Sequence, residues 1–326
     1  MEKNALPRLQ YKGSEQQKLT LHLFFQIMGK IRMSCSPRKN HWWYITLYLD
    51  TKGFTTGPVP YKNGLETFTL LLNLHNQRLE VFTSGGEEAY FDIFEGISVA
   101  EFYLQLKNIL KRFGIETEIL ERPFDLNIDK SFKELEEIRS YDREYVQRYW
   151  KVMLWASNVF KDFSGRFYGK TCPVHLFWHS MDLAVTRFSG KRAPKMPSEA
   201  RISDKDAYSH ECISFGFWPG DPNIPEPAFY SYTFPAPEGI EKTTLKPKQA
   251  KWVENNGNWL AILPYRDLQE VEEPATVLLD FLESAYQAGA RLKEWDVEDL
   301  KVPPLRDLLK KTAPKRGQFQ QLKNQS

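Results

Sequence analysis

The stretch from Gly165 to Pro237 constrains the fold most, because its aromatic and β-branched runs are cut at short intervals by Gly and Pro. The runs are CPVHLFWHSMDLAVTRFSGKRAP from Cys172, AYSHECISFGFWPG from Ala207 and PAFYSYTFPAP from Pro227. Residues of these types fit a pleated, half-buried surface, and Pro173 suits the first position of a strand. The reading is therefore a series of antiparallel strands. The same stretch holds three of the chain's six histidines together with an Asp, a Glu and an Arg. Polar groups in a well-packed region cost free energy unless they are paired or used, which marks a site without naming a reaction.

The first ninety residues read in the same way, as LTLHLFFQIMGKIRM, WWYITLYLD, FTTGPV, ETFTLLLNLH, RLEVFT and EAYFDIF. Leu21, Leu23, Phe25 and Ile27 alternate with His22, Phe24, Gln26 and Met28, a period of two. Asp50 to Gly53 and Ser84-Gly85-Gly86 supply hairpin connections. Helices break this pattern. Ser98 and Glu101 form a capping box for a helix from Val99 to Phe113, stopped by Gly114. Ser131 and Glu134 form another, predicting a longer helix to about Phe160 with an apolar face of Phe132, Leu135, Ile138, Tyr145, Val152 and Val159. IETEIL between them reads as a short strand, and Pro274 opens a helix to about Leu292.

The fold class is therefore α+β, with antiparallel sheets rich in aromatics and a few long packed helices. The expected divisions are a flexible segment over 1–18, a sheet with a helix over 19–125, a long helix over 126–165, an aromatic-rich sheet with a C-terminal helix over 166–300, and a basic, disordered tail over 301–326. No repeat of twenty to fifty residues is present.

Composition narrows the function classes. The formal net charge of +2 comes from intermixed acids and bases, so no basic footprint for nucleic acid or an anionic membrane exists. The start lacks the apolar core of a signal peptide, and no run approaches the ~20 apolar residues needed to span a bilayer. A cytoplasmic location is expected. Cys35, Cys172 and Cys212 form no C-x-x-C pair and read as free thiols, although Cys172 and Cys212 can meet in space. Glycine-rich nucleotide loops, H-E-x-x-H and G-x-S-x-G are absent.

The candidate site residues follow from strand geometry. On a helix, His175, His179 and Asp182 would share a face; on the favoured strand only His175 and His179 do, with Asp182 opposite unless a bulge intervenes. His175 and His210, with Tyr208 or Asp182 nearby, form the sharper catalytic or metal-binding hypothesis, and a divalent metal ion is the candidate cofactor. Glu211 faces away from His210 and is placed to pair with Arg187. A buried polar network that only ties the sheets together is the competing reading. The loop FWPGDPNIPEP, with Trp218 and its prolines, reads either as a pocket rim or as a rigid connection.

These strings, with QIMGKIR, NHWWYITLYL and GKTCPVHLFWHSMDLAVTRFSGKRAP, resemble the mainly bacterial family catalogued as domain-of-unknown-function family 5996, over about Leu19 to Leu300. The resemblance implies signature positions at Gln26, Lys30, Arg32, Asn40, His41, His175, Asp182, Arg187, Ser189, His210, Glu211 and Trp218, and no established activity. It also implies that Gly is frequent where this chain has His179, so chemistry through His179 would not be general to the family. On the expected first strand Gln26, Lys30 and Arg32 share a face. With Asn40 and His41 they form a second polar group, which would hold an anionic substrate if it met the histidines. The expectation is an enzyme acting on a small anionic or aromatic molecule, with His175 and His210 as ligands or acid and base, Asp182 or Glu211 orienting, and Arg187, Gln26, Lys30, Arg32, Asn40, His41, Tyr208 and Trp218 contacting substrate. The alternative is a non-catalytic binding protein.

Overall fold

The computed structural model describes residues 6–255 and 257–312. The fold is α+β and opens with a helix where alternation predicts a strand: α1 spans Glu15–Cys35. Every residue from Thr20 to Ile31 is buried, so this helix has no solvent-exposed face along its middle. A helix enclosed on all sides loses the 3.6-residue pattern that identifies surface helices, and chance alternation then dominates the reading. Ser14 makes no side-chain cap either, so the usual start signal is missing. Gly29 lets the helix approach the later chain closely: a Cβ there would lie 2.1 Å from the Trp178 indole.

The first sheet follows, with strands β1 (Tyr48–Asp50), β2 (Gly53–Thr55), β3 (Val59–Tyr61), β4 (Glu66–Asn73), β5 (Arg78–Thr83) and β6 (Glu88–Asp92). They are antiparallel in the order β1-β2-β4-β5-β6, with β3 also paired to β4. Helix α2 (Val99–Arg112) carries the expected capping box at Ser98. The box at Ser131 forms too, but it caps a single 3-10 turn, Phe132–Glu134. The long helix α3 (Arg143–Gly165) starts later, where the Asp142 side chain accepts from the Tyr145 N–H.

IETEIL is not a strand. Its carbonyls and those of the following turn are satisfied by long side chains: Lys107 Nζ donates to Thr117 O at 2.8 Å, and Lys30 Nζ to Leu120 O at 2.9 Å. Backbone acceptors need a partner of some kind, and lysines here replace a neighbouring strand.

The second sheet comprises β7 (His175–Phe177), β8 (Asp182–Arg192), β9 (His210–Trp218), β10 (Ala228–Phe234), β11 (Lys251–Asn255) and β12 (Asn258–Pro264), all antiparallel, in the order β11-β12-β10-β9-β8-β7. The stretch read as one strand through His175 and Asp182 is thus a hairpin, turning at Trp178 to Met181, with Phe177 opposite Asp182. A short helix α4 (Ile202–Ala207) precedes β9, and α5 (Arg266–Gln269), α6 (Pro274–Leu292) and α7 (Leu305–Thr312) close the described chain. Helix α7 occupies part of the expected tail; 313–326 and 1–5 lie outside the described residues.

Alternation sorts β8 and β9 cleanly. Leu183, Val185 and Arg187, with Ile213, Phe215 and Phe217, are fully buried on the face against α3 and α6. Asp182, Ala184, Thr186 and Phe188, with Cys212 and Ser214, face the other way. A ladder bridge between Leu47 and Leu176 joins the segment before β1 to β7, linking the two sheets.

Candidate functional site

The second face of the second sheet is the floor of a cleft of about 840 Å³. Asp182, Ala184, Thr186 and Phe188 of β8, Cys212, Ser214 and Trp218 of β9, and Tyr230 and Tyr232 of β10 line it. One wall is Trp42, Trp43 and α4; the other is Phe124, Phe177, Trp178 and His179.

Asp182 is the polar centre of the floor. It is 8% exposed, and its carboxylate accepts hydrogen bonds from the Ser180 and Tyr230 hydroxyls. Tyr230 sits two strands away and reaches Asp182 by lying across Gly216 of β9, where a Cβ would stand 2.4 Å from its ring. Burial and the facing carboxylate push the Tyr230 pKa well above its ordinary value, so it stays a donor. Tyr232 stacks beside Tyr230 and shares a hydrogen bond with Tyr208 at 3.1 Å, while Thr186 and Ser214 pair at 3.1 Å. His179, in the hairpin turn, stacks on Phe177 with ring centroids 5.4 Å apart, and its ring makes no hydrogen bond among the described residues. Burial lowers its pKa from 6.5, against the opposing pull of Asp182, so the imidazole is neutral at pH 7.

The wall carrying α4 is held by backbone in an uncommon conformation. His41 and Trp42 have φ of 57° and 60°, the left-handed region that non-glycine residues rarely occupy. This turn aims His41 Nδ1 at Ala207 O (3.1 Å) and Trp42 Nε1 at Ser203 O (3.0 Å), tying α4 over the cleft. Because a carbonyl only accepts, His41 carries its proton on Nδ1, and Nε2 accepts from Lys170 Nζ at 2.8 Å. Burial, reinforced by the Lys170 charge, keeps its pKa below the usual value.

The structure separates several residues grouped by the sequence. His175 lies opposite Ala184, which lies opposite Gly216 on β9, and His210 is six residues further along β9. At the rise of an extended chain this is roughly 20 Å, so His175 and His210 share no ligand. His210 instead meets His41, with ring centroids 5.6 Å apart, and its Nδ1 is 3.1 Å from Ser209 Oγ. Since both nitrogens of His41 are engaged, that imidazole leaves no lone pair free for a metal. Among the described residues no group of three or more His, Cys, Asp and Glu is placed to hold a metal ion.

Arg187 is under the sheet, not in the cleft. It is 1% exposed, lies 3.5 Å above the Phe163 ring centroid, donates to Phe163 O and faces Glu283 at 3.8 Å. Glu211 pairs with Lys293 at 3.3 Å and accepts from Ser189, not from Arg187. As α1 is a helix, Gln26 and Lys30 do share a face, but Arg32 does not. Gln26 clamps the backbone of Phe124 in both directions, and Lys30 donates to Leu120 O and Arg122 O. Arg32 donates to Tyr44 O and Thr56 O; Asn40 is exposed. Tyr208 and Trp218 line the cleft, whereas the prolines after Trp218 do not. The aromatic and hydroxyl floor of Tyr230, Tyr232, Thr186 and Ser214 was not singled out from sequence, although alternation along β8 to β10 carries the signal.

The model of a family of unknown function, DUF5996, matches residues 6–302, and the chain belongs to that family. No curated protein and no solved structure matches the chain.

Proposed function

We propose that this member of the DUF5996 family is a small-molecule-binding protein whose cleft takes a flat ring system laid on the second sheet. The supporting observation is the lining. Trp42 and Trp43 stand on one side, Phe124, Phe177 and Trp178 on the other, and Tyr230 and Tyr232 lie stacked on the floor. A cleft of about 840 Å³ falls in the range of small-molecule sites, and aromatic faces favour planar partners through stacking. The anionic part of the earlier expectation loses its support, since Arg187 and Arg32 lie outside the cleft lining and Lys30, which lines it, is committed with them to backbone carbonyls.

One observation favours a catalytic reading beside this. The neutral imidazole of His179, without a hydrogen-bond partner among the described residues, faces the cleft near Asp182, which is the arrangement needed to take a proton from a bound molecule.

The experiment is to incubate the purified protein with a cell metabolite extract, strip unbound material by rapid gel filtration and identify what remains by mass spectrometry. The expected result is a ring-containing molecule retained by the wild type and lost from a folded Thr186→Trp variant, whose indole fills the floor. Equal retention by both, or none by either, rejects the cleft. Consumption of the molecule over time, abolished in His179→Ala, would establish the proton-transfer reading over simple binding.

A further inference from the structure

The charges around the cleft are unevenly arranged. Lys30, with Nζ on two carbonyls, and Arg201, paired with Asp125 at 3.6 Å near α4, are its cationic lining residues. Asp204 adds a further carboxylate to the lining. Asp182, at the centre of the floor, makes no ion pair among the described residues; its partners are two neutral hydroxyls. Each carboxylate oxygen accepts one of these, and a carboxylate offers roughly four acceptor positions, so two remain. A nearly buried carboxylate without a counter-ion is costly, and removing it from water further by seating a ligand raises the cost unless the ligand supplies the charge. The surrounding rings present electron-rich faces, which attract cations and repel anions.

We infer that the molecule held in the cleft carries a protonated nitrogen on or beside its ring, and that the Asp182 carboxylate is its counter-ion. The inference rests on the cleft reading above and adds the charge. Tyr230 and Ser180 hold the carboxylate in place, and Gly216 is the residue that allows Tyr230 to do so. The ammonium or ring N–H⁺ donates to the free acceptor positions of Asp182 while the ring packs among Phe177, Trp178 and Tyr232.

The test uses isothermal titration at pH 8 with three indoles sharing one ring and differing in side-chain charge: tryptamine (cation), tryptophol (neutral) and indole-3-propionate (anion). The expected order is tryptamine tightest, with indole-3-propionate weakest. In the near-isosteric Asp182→Asn variant tryptamine should lose about thirtyfold or more, the loss typical of truncating one partner of a buried charge pair, while tryptophol changes little. If tryptophol or indole-3-propionate binds the wild type as tightly as tryptamine, the charge inference is overturned and the cleft reading survives. If none of the three binds, both fall. The wild-type order decides the matter even if Asp182→Asn fails to fold.

Discussion

Replacing His175 by Leu should remove a pH-dependent weakness from the core. His175 is 1% exposed, neither ring nitrogen has a hydrogen-bond partner among the described residues, and burial drives its pKa from 6.5 down to about 3. Because the folded pKa lies below the unfolded one, the unfolded chain gains a proton first as the pH falls through 6.5. Stability is therefore full above that pH and is lost down to about pH 3, where the folded form protonates as well. At pH 5 the 1.5 units below 6.5 amount to about 2 kcal/mol at ~1.4 kcal/mol per unit. Leu has no proton to gain. The assay is urea unfolding of wild type and variant between pH 5 and pH 8. Any fixed difference from packing or from losing the orphaned nitrogens appears at both ends, whereas the variant should gain about 2 kcal/mol on the wild type between pH 8 and pH 5. A difference independent of pH would refute the reasoning, and would mean that His175 has a partner in solution, such as an ordered water.

Two further outcomes are expected. Gly216→Ala should push the Tyr230 ring off β9, at a cost of about 1–3 kcal/mol for overpacking, with a change in the near-ultraviolet circular dichroism of the tyrosines; an unchanged spectrum and melt would show that Tyr230 does not lie across Gly216. Asp142→Ala should cost about 1 kcal/mol in urea unfolding by uncapping α3, while Ser131→Ala, which uncaps one exposed 3-10 turn, should stay within about 0.5 kcal/mol. The reverse order would place the start of the long helix at Ser131.

The sequence by itself determined the α+β class, the strands β4 to β6 and β8 to β10, and the limits of α2 and α6, because each of these has one buried face or a local start and stop signal. It could not identify α1, whose burial on every side erases the helical period, nor the hairpin between His175 and Asp182, where aromatic content continues through the turn. Which polar residues meet was decided only in three dimensions. Gln26, Lys30, Arg187 and Glu211 bear the groups expected of a binding site, yet tertiary packing spends each on a carbonyl, a backbone clamp or a buried pair. The cleft gathers Asp182 and Tyr230 from two strands with β9 between them, because Gly216 leaves room for a ring to cross. Local pattern states which face a residue takes, and only the packed sheet states what it faces.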